Sequence, residues 1–168
     1  MRLVQVQTGP DIDLARELFG EYQRSLDVDL CFQDFEHELA ALPGEYTPPS
    51  GRLYLCYEEE LLAGCVALRK IGETTCEMKR LYVRSGFRGR RLGRRLAEAV
   101  VHEARGIGYT TMKLDTLPTM AAAIALYQSL GFKPTSPYRH NPVPGALYME
   151  LDLTLPATVT VSSANPDR

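Results

Sequence analysis

No apolar run in this 168-residue chain approaches the ~20 residues that a membrane-spanning helix requires. Residues 1–20 also lack the apolar centre of a secretory signal and carry Asp11, Asp13, Arg16 and Glu17 instead. Both absences point to a cytoplasmic protein without a membrane partner. Cysteine is scarce and badly spaced for metal. Cys31, Cys56, Cys65 and Cys76 make no Cys-x-x-C and no Cys/His pair at ligand spacing. Three of them sit in strand-like apolar runs, where a thiol acts as a small hydrophobe, so we expect reduced structural thiols and no metal. A surplus of positive charge is missing too. The net charge of −2 and pI of about 5.9 argue against the broad basic face of a nucleic-acid binder. No segment repeats, and the length suits one domain, which we place at residues 1–154. Leu155 to Arg168 is short and rich in Thr, Ser, Ala and Pro, and reads as a disordered tail. The alternation Thr158-Val159-Thr160-Val161 within it is the one hint of an edge strand.

One local concentration of positive charge stands out against this background. Phe87-Arg88-Gly89-Arg90-Arg91-Leu92-Gly93-Arg94-Arg95-Leu96 joins a strand-like run, Cys76 to Val83, to an amphipathic helix from Gly93 to about Arg105. A strand that turns tightly into a helix aims several unpaired N–H groups at one point, and the helix dipole adds partial positive charge there. With glycines and arginines around it, such a turn suits a phosphate-bearing cofactor. Two standard phosphate loops fail the test of spacing. Gly93 is followed by Arg94 and Arg95 where a triphosphate loop needs Lys and Ser or Thr. Gly86, Gly89 and Gly93 do not have the G-x-G-x-x-G spacing of a dinucleotide site. A tight arginine cluster in an acidic chain fits one small polyanion better than a polymer.

Periodicity orders the remaining elements. Leu3 to Gln7 reads as a strand. A helix starts at Pro10 with Ile12, Leu14, Ala15, Leu18 and Phe19 on its apolar stripe. Phe32 to Leu42 is a second, short helix, stopped by Leu42-Pro43-Gly44, and Glu45 to Gly51 is a loop. Arg52 to Glu58 and Leu61 to Arg69 read as a hairpin with an acidic turn, followed by the strand Cys76 to Val83. The helix from Gly93 places Leu92, Leu96, Val100 and Ala104 on one face. Tyr109 to Asp115 is a strand, Met120 to Leu130 a helix capped by Gly131, and Leu147 to Leu153 a last strand. A meander combined with two strand–helix–strand crossovers predicts an α/β fold on a mixed sheet.

Three segments in order, Cys76 to Val83, Arg88 to Gly93 and Met120 to Phe132, resemble the signature of the GNAT acyl-CoA N-acetyltransferases. The family loop reads Arg/Gln-x-x-Gly-x-Gly/Ala and holds the pyrophosphate of acetyl-CoA. Arg88 matches its first position and Gly93 its last, while Arg91 replaces the middle glycine. We expect Arg91 to be tolerated there in helical φ/ψ, since only a positive φ would demand glycine. The later helix supplies Ala123, Leu126, Tyr127, Gly131 and Phe132 of the family pattern, with Met120 in place of the usual Asn. The resemblance spans roughly Arg2 to Leu153. It implies a GNAT-like α/β fold, a mostly antiparallel twisted sheet of six to seven strands flanked by about four helices.

The same resemblance implies a function and a set of residues. The activity would be direct transfer of acetyl from acetyl-CoA to a primary amine of a small molecule or amino-acid-like acceptor. The alternative is a catalytically idle acyl-CoA-binding or sensing domain, and a homodimer is compatible with either. Cofactor binding falls to Leu81, Tyr82, Val83, Arg88, Gly89, Arg90, Arg91, Leu92, Gly93, Arg94, Ala123 and Tyr127. Free N–H groups at Leu81 and Val83 would meet the pantetheine and thioester. Tyr127 would be the general acid toward the departing sulfur, and Glu77 the general base, its pKa raised by burial near the sheet centre. Residues 26–35 and the turn-rich segment Tyr138 to Gly145 would wall the acceptor pocket, with Tyr138, Arg139 and Asn141 able to read a carboxylate or hydroxyl. His140 as a base and His102 as a ligand are weaker candidates, and His102, on a helix among charged neighbours, reads as facing solvent.

Overall fold

The computed structural model describes residues 1–29 and 34–156. Its elements in chain order are β1 (Arg2–Gln5), α1 (Pro10–Ser25), α2 (Phe35–Ala41), β2 (Arg52–Glu58), β3 (Leu61–Lys70) and β4 (Thr75–Val83). They continue with α3 (Leu92–Ile107), β5 (Thr111–Thr116), α4 (Ala121–Ser129), β6 (Lys133–Pro134) and β7 (Leu147–Asp152). The seven strands form one sheet in the order β1-β2-β3-β4-β5-β7-β6. Only β4 and β5 are parallel neighbours, so the sheet is mixed and mostly antiparallel, as the sequence pattern implied.

Local chemistry explains the helices. Pro10 opens α1, where its missing N–H costs nothing, and Asp11 and Asp13 sit against the positive end of the helix dipole. Ala15, Leu18 and Phe19 are buried from α1. On α3 the buried residues are Leu92, Leu96, Ala97, Val100, Val101 and Ala104, a wider stripe than the four-residue face expected. Each fully buried Leu or Val contributes about 1.5–3 kcal/mol, so α3 is held by packing far more than by helix propensity. The acidic hairpin turn between β2 and β3 is also present, with Glu59 (φ 50°) and Glu60 (φ 64°) both left-handed. That backbone matches the twist of a two-residue hairpin.

The sheet separates two apolar clusters. One joins β2 to β5 and β7 with α3 and α4, through residues such as Met78, Leu96, Val100, Leu114, Tyr127 and Met149. The other packs α1 and α2 onto β1, β2 and β3, with Phe19, Phe35, Tyr46, Leu53 and Leu55 at its centre. This second cluster does not extend across β5 and β7. On that half of the face the alternate residues are Lys113, Asp115, Tyr148 and Glu150.

Several boundaries differ from the sequence reading. The second helix begins at Phe35, and Phe32 and Cys31 lie outside the described residues. The expected loop Glu45 to Gly51 starts inside a single 3-10 turn, Gly44–Tyr46. Tyr109 precedes β5 because its hydroxyl donates to the Ser50 carbonyl (2.7 Å), which draws the ring into the core before the strand begins. The short β6 follows immediately on the end of α4 and carries no apolar alternation by which to recognise it. Arg105 holds the carbonyls of Leu153 and Leu155 (3.0 Å each), and the Thr158 to Val161 alternation lies outside the described residues.

Two glycines should respond oppositely to alanine. A Cβ on Gly64 would stand 2.3 Å from the Tyr82 carbonyl oxygen, a backbone atom that cannot give way without moving β4. Gly64→Ala should lower unfolding free energy by about 1–3 kcal/mol. A Cβ on Gly93 meets nothing closer than the Leu126 side chain at 3.8 Å, so Gly93→Ala should stabilise by up to about 1 kcal/mol. Urea midpoints of the two variants check both signs.

Candidate active site

Beyond Glu77 the parallel strands part. β4 and β5 are paired only at Thr75↔Thr111, Cys76↔Met112 and Glu77↔Lys113, although β4 continues to Val83 and β5 to Thr116. The divergence coincides with a bulge in β4. Arg80 has φ 55°, and the β3–β4 register slips between Cys65 and Ala67, so β4 carries an extra residue and bends. Left-handed backbone costs an arginine about 1–2 kcal/mol. Contacts offset that cost. The buried Arg80 guanidinium donates to Glu38 of α2 through Nε (3.0 Å) and NH2 (2.5 Å), and lies over the rings of Phe35 and Tyr22.

Past the bulge, Arg84 N–H donates to the Ala63 carbonyl (2.8 Å), and Tyr82 stands opposite Cys65. Antiparallel alternation therefore turns the N–H groups of Tyr82 and Arg84 toward β3, and those of Leu81 and Val83 into the gap. Tyr82 differs from its expected place. Its main chain faces β3, and its ring packs on Tyr22 of α1 with centroids 6.0 Å apart.

After β4 the chain makes one 3-10 turn, Ser85–Phe87, then passes Gly89 (φ 80°) and Arg91 (φ 60°) into α3. Arg91 is left-handed, which overturns the expectation of helical φ/ψ. It is the position where glycine would be strain-free, and here an arginine occupies it. α3 has no side-chain N-cap and no acid in its first turn, and its first backbone bond runs from Arg95 N–H to the Arg91 carbonyl (3.1 Å). The N–H groups of Leu92, Gly93 and Arg94 are thus left to point out of the helix end. This donor set, at the positive end of a 16-residue helix, fits a diphosphate.

The arginines around the turn divide into two groups. Arg88, Arg90, Arg91 and Arg94 stay beside it. Arg88 Nε donates to the Val83 carbonyl (3.2 Å), Arg90 lies over Phe87, and Arg94 bridges Glu98 and the Ser129 hydroxyl. Arg84 does not belong with them, because it reaches α1 and pairs with Glu17 and Glu21. The Leu92 side chain is core, and only its main chain faces the turn.

The Tyr127 spacing has a structural cause. At the end of α4, Phe132 N–H donates to the Tyr127 carbonyl (3.0 Å) and Gly131 N–H to that of Gln128 (3.0 Å), with Gly131 at φ 96°. This is a Schellman ending, and the Tyr127 and Phe132 rings meet across it at 5.7 Å. The ending fixes Tyr127 inward, with Ala123 one turn earlier and half-buried. Met120, at the N-terminus of α4, gives no side-chain cap, and its sulfur accepts the Thr116 hydroxyl (3.7 Å). The Tyr127 hydroxyl makes no hydrogen bond among the described residues. Burial raises its pKa above the ordinary phenol value, and the Asp115 charge adds to this. Tyr127 belongs to the α3/α4 cluster. Its neighbour Leu126 and Val83 of β4 both lie within 4 Å of the place a Cβ would take on Gly93, which sets this end of α4 beside the gap.

Glu77 corrects a second expectation. It is fully buried, and both oxygens are engaged. Oε2 accepts from Arg69 Nε (2.7 Å), while Oε1 accepts from the Tyr138 hydroxyl (2.8 Å) and Arg139 NH1 (3.0 Å). Burial pushes its pKa up, but Lys79, Arg69 and Arg139 outweigh it, so the carboxyl is held below the usual range. A low pKa and occupied lone pairs oppose a role as proton acceptor. Lys79, beside it on β4, is drawn down to about 7 by burial and by the Arg80 charge.

Sequence reasoning missed Asp115, Tyr22 and the Arg80–Glu38 pair. Asp115 follows the divergence of β5 from β4, and its Oδ2 accepts from Asn141 Nδ2 (3.0 Å). Its charge raises the phenols of Tyr22, Tyr127 and Tyr138. The strand reads Thr-Met-Lys-Leu-Asp-Thr, so Asp115 looks like an ordinary solvent-side residue. For Arg80 a signal did exist: Lys79-Arg80 breaks the alternation of β4, as a bulge does. His102 is exposed on α3, and His140 is exposed in the loop before β7.

Comparison with known proteins places this geometry. Residues 12–132 match the family model described as the acetyltransferase (GNAT) family. An uncharacterized N-acetyltransferase of Schizosaccharomyces pombe is 42% identical over 151 residues, covering 89% of this chain and 93% of that protein. Among solved structures, an acetyltransferase of Streptococcus agalactiae superposes with a TM-score of 0.75 at 22% identity, covering 90% of this chain and 97% of that one. An acetyltransferase of Salmonella typhimurium, solved with its cofactor acetyl-CoA, gives a TM-score of 0.65 at 21% identity over 94% and 97% of the two chains.

The Glu77 cluster generates a test of stability against pH. Glu77→Gln should cost about 2–3 kcal/mol, less than a fully buried pair because Arg69 and Arg139 keep some solvent. Since the folded carboxyl lies below its ordinary value of 4.5, this contribution is full above pH 4.5 and is lost as pH falls through the lowered value. Urea unfolding of wild type and variant should show the gap between them closing below pH 4.5.

Proposed function

The chain belongs to the GNAT acetyltransferase family, and we propose that it moves acetyl from acetyl-CoA directly to a primary amine of a small or amino-acid-like acceptor. The observation that carries this reading is the gap itself. Among the described residues, two main-chain donors on one wall, Leu81 and Val83, and the Tyr127 phenol buried beside them have no hydrogen-bond partner. The co-substrate supplies an activated thioester. Every other requirement is met by groups of the chain. The N–H groups of Leu92, Gly93 and Arg94, with Arg88 and Arg91, hold the diphosphate. Val83 and Leu81 N–H groups stabilise negative charge developing on the acyl oxygen, where donors fixed in advance are most effective.

Asp115 takes the place we first expected of Glu77. It lies on the acceptor side of the gap, and its Oδ1 accepts no side-chain hydrogen bond among the described residues, since Asn141 uses Oδ2. It attracts the acceptor ammonium and takes one proton from it, so that the neutral amine attacks the thioester carbon; the second N–H proton, lost as the tetrahedral intermediate collapses, replaces the one that Tyr127 gives to the sulfur. Tyr127, kept protonated by burial, offers its O–H to the sulfur as the C–S bond breaks. Transfer is direct, with both substrates bound together.

Three variants test these roles in a thiol-release assay over an amine panel. Tyr127→Phe should lower kcat by roughly 10²–10⁴-fold with unchanged Tm and acetyl-CoA affinity within a few-fold. Asp115→Asn should lower kcat at saturating amine by roughly 10²–10⁴-fold, with acetyl-CoA affinity within a few-fold. Arg88→Ala should raise KM for acetyl-CoA by about 10–100-fold, the worth of one charge-assisted contact, with little effect on kcat. Acetyl-CoA binding without turnover of any amine would make the chain an acyl-CoA-binding domain.

A further inference from the structure

On the α1 side of the sheet, below the gap, a cleft of about 390 Å³ opens between the β3–β4 turn and the segment before β7. Arg69, Lys113 and Arg139 project into it, with Tyr138, Thr75 and the buried Glu77 completing its wall. Glu77 fixes the two guanidiniums from beneath without using all their donors. Arg69 spends Nε on Glu77 and NH1 on Glu45, and Arg139 spends NH1 on Glu77. Arg69 NH2, Arg139 Nε and Arg139 NH2 make no hydrogen bond among the described residues. Lys113 stands over the Tyr138 ring and is 3.9 Å from Glu150, a weak pairing.

We propose that this cleft is a carboxylate site, and that the acceptor is an amine carrying an acidic group. The inference rests on the acetyl-transfer reading and adds the class of acceptor. Two arguments favour a carboxylate. Two guanidiniums anchored by one buried carboxylate keep donors to spare, and the guanidinium fork matches a second carboxylate. The local charge is also limited: the three cations of the cleft face Glu77, Glu45 and Glu150, and the one further cation acting on Glu77, Lys79, is held down to about 7, which suits a monoanion better than a phosphate dianion. Position links the cleft to the chemistry. Lys113 and Asp115 lie two residues apart on the same face of β5, about 7 Å along the strand. One small molecule can therefore set its ammonium at Asp115 and its carboxylate among Lys113, Arg139 and Arg69.

Lys113→Gln is the discriminating variant, because Arg139→Gln strips a partner from buried Glu77 and endangers the fold. Matched amines of equal chain length, ending in carboxylate, carboxamide or methyl, are compared by kcat/KM at saturating acetyl-CoA. The carboxylates should lead the other two by about 10-fold or more, and Lys113→Gln should reduce that ratio about 10-fold. Equal kcat/KM across the three overturns the carboxylate site and leaves acetyl transfer standing. A second readout needs no turnover. Glutarate should raise the Tm of the wild-type chain and raise that of Lys113→Gln less. No shift with glutarate overturns the inference even if every amine fails as a substrate, a failure that counts separately against acetyl transfer.

Discussion

The Arg80–Glu38 pair is the constraint on which the rest of the site depends. It holds an arginine in left-handed backbone in the middle of a strand, and so keeps the bulge that accompanies the parting of β4 from β5. Without the bulge, β4 would continue beside β5 and the N–H groups of Leu81 and Val83 would be spent on the ladder. The same pair ties α2 to the sheet, because Glu38 also accepts the Tyr46 hydroxyl (2.5 Å) and Arg80 lies over the rings of Tyr22 and Phe35. Burial alone would raise the Glu38 carboxyl, yet Arg80 lowers it, and the net direction is down. The pair is thus charged across the working range, and one contact sets both the gap and the wall facing it.

The two faces of the sheet divide the labour. On one, α3 and α4 complete a continuous apolar core, and the turn before α3 gathers positive charge at its end. On the other, the apolar cluster stops short of β5 and β7, and charged residues occupy the floor. Glu77 belongs to this second half. A carboxylate with three donors is better suited to hold guanidiniums in place than to take protons, and its burial is tolerable only because those donors are there. Asp115 differs because it keeps partial exposure and one oxygen free of side-chain donors.

Much of the fold could be read from residue patterns, for identifiable reasons. The α1 stripe, the β2–β3 hairpin and the α3 face follow periodicities of 3.6 and 2 that burial enforces. The spacing from Tyr127 to Gly131 and Phe132 was legible because a Schellman ending constrains each of those positions. What could not be read depends on tertiary register. The direction of the Glu77 pKa shift turns on arginines 8 and 62 residues away in sequence. Asp115 gains its position only when β4 bends away, and Arg91 shows its left-handed backbone only once the turn is built. The two-residue β6 has too few residues to show any period.

The central claim is that the Leu81 and Val83 main chain faces the gap and receives the acyl-CoA arm. Amide hydrogen exchange of these two residues, with and without acetyl-CoA, tests it most directly. Both amides should exchange freely in the free protein and slow markedly when acetyl-CoA binds, while Tyr82 and Arg84, already bonded to β3, change little. Protection of Leu81 and Val83 that is unaltered by acetyl-CoA would contradict the claim.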